Sequence, residues 1–170
     1  MRFMTALALT AAAAALSACG SGKDQAVSNA SAPAPEAAAP AAPPPLNSPE
    51  NKKLVAELGA AYASADLENG QTRFALCRSC HTIVKGGPNM TGPNLYGLFG
   101  RKAGVAADFT YSDGLKAAAI TWDAKTLDTW IKDPKAMIAG TKMTFPGIKD
   151  DKDRTDLIAY LKVASNGGAN

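Results

Sequence analysis

The chain has 170 residues, with 18 Lys plus Arg against 15 Asp plus Glu and a formal charge of +3. So weak a bias leaves no electrostatic footprint for nucleic acid. Aromatic residues make up only 6%; few large rings are available to fill a core, and a bound apolar cofactor would make up that deficit. Three cysteines and one histidine constrain the chemistry further. A structural zinc site takes four Cys or His ligands, and without the distant Cys19, the set Cys77, Cys80 and His81 is one short.

Residues 1–18 read as a secretion signal, with Arg2 as the positive start and an apolar, Ala-rich run from Phe3 to Leu16. The run is short for a permanent membrane span. It ends in Leu16-Ser17-Ala18-Cys19-Gly20, which resembles the bacterial lipoprotein cleavage box. The resemblance implies cleavage before Cys19, lipid on its sulfur, and stable anchoring through two or three acyl chains. The alternative is an ordinary signal peptide with an incidental Cys.

Residues 19–49 follow as a lipidated Cys and a disordered tether. Lys23 to Pro49 is dominated by Ala, Pro, Ser and Asn, a composition that cannot bury enough surface to offset its ordering entropy. Extended, it reaches about 80 Å at ~3.1 Å per residue. Residues 50–65 are an extra helix or the last part of the linker; Leu54, Val55, Leu58 and Tyr62 have suitable spacing for the former.

Residues 66–170 form one all-α domain, showing helical periods and no strand alternation. A first helix is expected from Asp66 to Ser79, capped by Ser64 or Asp66. Asp123 caps a second, with Leu127, Trp130 and Ile131 on one face, ended by Asp133-Pro134. A third runs from Asp151 to Ala164 and stops at Asn166-Gly167-Gly168. The Gly- and Pro-rich loops between them, Gly86 to Gly104 and Ala139 to Gly147, are long for a small domain unless they wrap something.

Cys77-Arg78-Ser79-Cys80-His81 carries the chemistry. Cys-x-x-Cys-His is the attachment signature of c-type haem. One turn presents both thiols to the two vinyl groups on one porphyrin edge, and the histidine sits under the ring as an iron ligand. A thioredoxin-like redox pair would need a preceding strand in a βαβ unit, and a structural disulfide gives the adjacent histidine no role. The sixth ligand has three candidates, Met90, Met137 and Met143, each of which is otherwise core filler.

From about Asp66 onward the chain resembles class I cytochrome c of the mitochondrial and bacterial c2 type. The resemblance rests on His81-Thr82-Ile83, Thr91-Gly92-Pro93-Asn94-Leu95, Gly97-Leu98-Phe99-Gly100-Arg101-Lys102 and Phe109-Thr110-Tyr111. It continues through Ile120-Thr121-Trp122, Gly140-Thr141-Lys142-Met143 and Asp156-Leu157-Ile158-Ala159-Tyr160-Leu161. It implies helices wrapped around one covalent haem, with Met143 as the iron ligand opposite His81. Pro93 resembles the carbonyl that fixes His81. Arg101, Tyr111 and Trp122 resemble donors to a buried haem propionate, and Ser112 and Thr141 donors to the other. Gly70, Phe74, Leu157 and Tyr160 resemble the crossing of the terminal helices. Two positions depart from the family pattern: Leu115 stands where an asparagine is usual, and Trp130 where a tyrosine is usual.

The resemblance implies a monomeric one-electron carrier, not an enzyme, and export places it in the bacterial periplasm, tethered to a membrane. It would shuttle between a quinol-oxidising bc1-type complex and a terminal oxidase or photosynthetic reaction centre. The alternative is a fixed haem subunit of a larger respiratory complex. Lys135, Lys142 and Lys149 match the lysines with which the family meets its partners. That ring is thinner here: Leu76 precedes Cys77, Met90 replaces a usual lysine, and Asp150 follows Lys149.

Overall fold

The computed structural model describes residues 44–166 and 168. The expected signal peptide, Cys19 and all of the tether before Pro44 lie outside the described residues. Six α-helices follow in order: α1 (Pro49–Ala56), α2 (Leu67–Phe74), α3 (Asp113–Ala117), α4 (Ala124–Lys132), α5 (Pro134–Met137) and α6 (Asp151–Ala164), with a 3-10 turn at Ala60–Tyr62. The only β pairing among the described residues is an isolated antiparallel bridge between Lys102 and Thr121, so the fold is all-α. No helix among them is long and apolar enough to cross a membrane.

Helix α6 is the axle. Nine of its 14 residues are buried, Arg154 and Asp156 among them, and α2, α4 and α1 all pack on it. Its N-terminus is capped by Asp150, whose carboxylate accepts from the Asp153 amide at 2.8 Å. Helix α4 starts in a capping box between Asp123 and Thr126 and buries Leu127, Trp130 and Ile131.

Asp66 caps α2, accepting from the Glu68 and Asn69 amides at 3.0 Å each. The helix stops at Phe74 rather than Ser79. From there the chain tightens, with Cys77 N–H donating to Phe74 O at 2.8 Å and Cys80 N–H to Cys77 O at 3.0 Å; these bonds to the third residue back wind the turn tighter than an α-helix. Gly70 is where α2 crosses α6. A Cβ there would lie 2.2 Å from the Asp156 carbonyl oxygen and 2.7 Å from Tyr160 Cβ, so the two backbones touch. One turn on, the Phe74 and Tyr160 rings pack at 5.5 Å.

Two buried charges fasten the axle. Asp156 accepts from the Asp66 amide at 2.9 Å, Asn69 at 2.8 Å and Lys152 at 2.7 Å. Burial alone would raise its carboxyl, but these donors outweigh burial and hold it below its ordinary value. A carboxyl depressed on folding adds stability above its unfolded pKa, and that contribution is lost as pH falls through the folded value. Arg154, 3% exposed, donates to Asp128 on α4 at 2.8 Å, to Asp151, and to the Ile148 and Lys149 carbonyls at 3.1 and 2.9 Å. It thereby ties the segment entering α6 to α4.

Helix α1 packs Val55 against Ala159 and Val163 of α6. Ser48 caps it, and the buried Asn51 amide group donates to Pro45 O at 3.1 Å and Gly168 O at 2.9 Å. Helix α3 was not expected from the sequence; Ser112 caps it, accepting from Leu115 N–H at 3.3 Å. Replacing Gly70 with Ala forces backbone apart at the α2–α6 crossing and is expected to destabilise by about 3 kcal/mol, the upper end for overpacking. Guanidinium denaturation of the cofactor-loaded protein measures this, and an unchanged midpoint would show that the crossing yields freely.

Candidate cofactor site

A cleft of about 380 Å³ opens between the Cys77–His81 turn, the 91–101 loop, α3, α4 and the 141–146 loop. That is the volume range of ligand sites. Cys77, Cys80, His81 and Pro93 line one part, and Thr141 and Met143 line another. Arg101, Tyr111, Ser112 and Trp122 complete the ten site residues expected from the sequence, and all ten share this one lining. Leu98, Leu115, Leu127, Trp130, Ile131 and Leu161 make much of the wall apolar. Lys142 lines the cleft too, whereas Lys135 and Lys149 do not. Cys19 lies outside the described residues.

The histidine is held from two directions. Its Nδ1 lies 2.7 Å from Pro93 O; a carbonyl only accepts, so Nδ1 carries the proton and Nε2 keeps its lone pair. Burial pushes the imidazole below its ordinary pKa, opposed by the Pro93 hydrogen bond and reinforced by the Arg101 charge. Behind the ring stands Gly92, where a Cβ would come within 2.2 Å of Cε1 and 2.6 Å of Nδ1. Only glycine leaves space for the ring there. Cys77 and Cys80 are free thiols. Burial, then the neighbouring Cys80, pushes the Cys77 thiol up to about 11, so it is protonated at neutral pH.

The 89–96 loop keeps Pro93 in place through Asn94. Its side chain donates to Thr82 Oγ1 at 2.6 Å and Val84 O at 2.9 Å, and accepts from Tyr96 N–H at 2.8 Å. Arg101 adds bonds to Tyr96 O at 3.1 Å and Asn94 O at 3.0 Å. Two of its donor groups therefore clamp this loop, a role additional to the propionate contact expected of it. Gly92 and Asn94 both belong to the Thr91–Leu95 block of the family resemblance, which names no role for either. The dense Gly-Pro-Asn turn chemistry was the available signal.

On the other side, Met143 N–H donates to Thr141 Oγ1 at 3.2 Å, and Lys142 Nζ donates to Thr110 O at 3.2 Å. The second bond straps the methionine loop to the segment carrying Tyr111. Trp122 and Trp130 pack with ring centroids 5.6 Å apart, and Phe109 meets Tyr111 edge-on at 4.8 Å. Burial raises the Tyr111 hydroxyl, against a backbone hydrogen bond at Ala106 and the Arg101 charge. Leu115 and Trp130 are both buried, so the two departures from the family pattern add apolar wall.

The donor set fits a covalently attached haem. Two free thiols, a neutral imidazole with its lone pair available and a thioether share one mainly apolar cleft, and the glycine cradle keeps the imidazole ring in place. Among the described residues, no three His, Cys, Asp or Glu side chains cluster so as to hold a metal ion by themselves.

A family model described as Cytochrome c matches residues 67–165. Cytochrome c2 of Rhodoplanes tepidamans is 52% identical over 96 residues, covering 56% of this chain and 90% of the relative. Cytochrome c of Theileria parva is 54% identical over 90 residues, 53% of this chain and 77% of that one. Cytochrome c2 of Blastochloris viridis is 45% identical over 107 residues, 63% and 84% of the two chains. The match spans both sides of the cleft, from the helix before Cys77 to the end of α6, and on it the chain belongs to the cytochrome c family, electron carriers with one covalent haem c attached through cysteine.

Proposed function

We propose that the protein is a one-electron carrier tethered by lipid at Cys19 to a bacterial membrane and facing the periplasm. It shuttles between a quinol-oxidising bc1-type complex and a terminal oxidase or photosynthetic reaction centre. The observation that carries this reading is the common cleft of Cys77, Cys80, His81 and Met143. When bound, haem c supplies a one-electron couple at its iron, and ligation by His and Met raises the reduction potential.

The chain's own groups do the rest. Cys77 and Cys80 would hold the cofactor covalently, and His81 and Met143 would be the iron ligands. Pro93 keeps the His81 Nδ1 proton engaged, so that Nε2 stays the donor atom. Ser112 and Thr141 oxygens accept from the Leu115 and Met143 amides, which leaves each hydroxyl proton free to donate to a propionate. Arg101, Tyr111 and Trp122 serve the other propionate, and the guanidinium offsets the cost of burying that charge. Ligation by both His81 and Met143 would leave the iron no free position for a substrate, as expected of a carrier. The buried Trp122–Trp130 pair and Leu115 give the cleft apolar wall.

Lys135, Lys142 and Lys149 meet partners on the methionine side. Their steering is modest, because Lys149 Nζ pairs with Asp133 at 3.1 Å and bonds Lys132 O at 2.7 Å. A tether compensates by raising the local concentration of carrier near its partners.

Three outcomes follow from this reading. Met143→Ala lowers the reduction potential in a redox titration, because a thioether that favours ferrous iron is removed; an unchanged potential would take Met143 off the iron. Turnover with membrane-bound donor and oxidase falls about tenfold between low salt and ~0.5 M, as screening shortens the reach of the lysines; a salt-independent rate would sink the steering. Cys19→Ser releases the haem spectrum from the membrane fraction into the soluble one, and haem that stays fully membrane-bound would refute anchoring by lipid alone.

A further inference from the structure

Two Asn-Gly pairs occur in the chain, Asn69-Gly70 and Asn166-Gly167. Asparagine is a thermolabile side chain. It is most open to attack by the next backbone nitrogen when glycine follows, because glycine has no Cβ to crowd that nitrogen. Asn166 stands exposed past the end of α6. Asn69 stands at the α2–α6 crossing. Gly70 must lack a side chain there, since a Cβ would lie 2.2 Å from Asp156 O. Asn69 is a donor that joins the two helices, bonding Asp153 Oδ1 at 3.1 Å and Asp156 Oδ2 at 2.8 Å. The demands of a close crossing therefore set a reactive pair side by side.

The folded crossing holds both reacting groups. Gly70 N–H donates to Asp66 O at 2.9 Å, and the Asn69 side-chain nitrogen is taken up by the two carboxylates. Closing a ring between Gly70 N and Asn69 Cγ requires Asn69 to leave its helical backbone angles. We propose that Asn69 is a modification site of the haem-free chain: where the α2–α6 crossing opens, Gly70 N attacks Asn69 Cγ, and haem attachment shuts the site. The N–Cγ bond forms and the Cγ–Nδ2 bond breaks. Nδ2 leaves as ammonia with the proton given up by Gly70 N, so no oxidant or reductant is needed. Water then opens the imide at either carbonyl, leaving aspartate or isoaspartate at this position.

Haem guards the site because its cleft spans both helices. Cys77 follows α2 closely, and Leu161 of α6 lines the same cleft. A cofactor bonded to the one and packed in the cleft of the other buries apolar wall only while the crossing is closed, which lowers the open population. Either product is a carboxylate where a donor stood, facing Asp153 and Asp156. Arg73 and Lys152 already serve one of those carboxylates each, so a third like charge is left to repel them. Isoaspartate also adds a carbon to the backbone of α2. The reaction thus gives the chain a limited time in which to receive its haem.

The test compares the haem-loaded protein with the full chain kept haem-free by Cys77→Ser/Cys80→Ser, both held in mildly alkaline buffer and sampled by peptide mass spectrometry. Asn166 is the reference within each sample. Conversion of Asn69 relative to Asn166 is expected to run at least about tenfold faster in the haem-free chain, and equally fast in both once guanidinium unfolds them. Equal relative rates in native buffer would overturn the protection by haem. An Asn69 that stays intact in guanidinium while Asn166 converts would overturn the site itself. Asn69→Asp, loaded with haem, is expected to unfold at a lower guanidinium midpoint with its visible spectrum unchanged, and failure to take up haem is the same loss in stronger form. A wild-type midpoint in that variant would overturn the cost assigned to the product.

Discussion

The His81 Nδ1 proton is held by the Pro93 carbonyl at 2.7 Å, and nearly every local feature around it serves to keep that distance. Gly92 must lack a side chain because the imidazole occupies the space where a Cβ would be. Asn94 and Arg101 bond the loop on either side of Pro93. Gly92 N–H bonds back to Cys80 O at 2.8 Å, so the loop and the thiol-bearing turn are one hydrogen-bonded unit. Orienting one ring nitrogen by a bond to the other fixes both tautomer and direction. A ligand so constrained needs little rearrangement when charge changes in the cleft.

That unit is attached to the rest of the domain through the α2–α6 crossing. The Cys77 turn begins where α2 ends, and α2 touches α6 backbone to backbone at Gly70. The methionine side reaches the same axle by another route: Arg154 on α6 binds the Ile148 and Lys149 carbonyls and Asp128 on α4. Both halves of the cleft are therefore referenced to one helix. Buried charge serves this purpose better than apolar packing alone, since hydrogen bonds fix direction as well as contact.

Features set by local chemistry were legible in the sequence. The caps at Asp66 and Asp123 and the full length of α6 each depend on a few neighbouring residues. The Cys-x-x-Cys-His spacing names its cofactor for the same reason, and the ten residues grouped around it by resemblance do line one cleft. What was not legible depends on partners distant in the chain or on very short periods. Helix α3 has five residues and two of them are Gly and Ala, too few for an apolar stripe. The end of α2 at Phe74 is set by how the Cys77 turn tightens, which propensity does not encode. The bonds of Lys149 to Asp133 and Lys132 O could not be read locally, because these acceptors lie 16 and 17 residues earlier.

The segment before the family match has its own logic. The Cytochrome c match begins at residue 67, so α1 and the 3-10 turn lie before it. Helix α1 meets α6 at Ala159 and Val163, while Leu161 of the same helix lines the cleft. Two residues apart on a helix are about 200° apart around its axis, which sets α1 and the cleft on opposite sides of α6. Asn51 secures this arrangement by bonding Pro45 O and Gly168 O together, and Glu57 pairs with Lys162 at 2.8 Å. A chain entering at Pro44 thus joins the domain behind the axle. The added helix and the cofactor cleft thus share α6, α1 using its Ala159 and Val163 side and the cleft its Leu161 side.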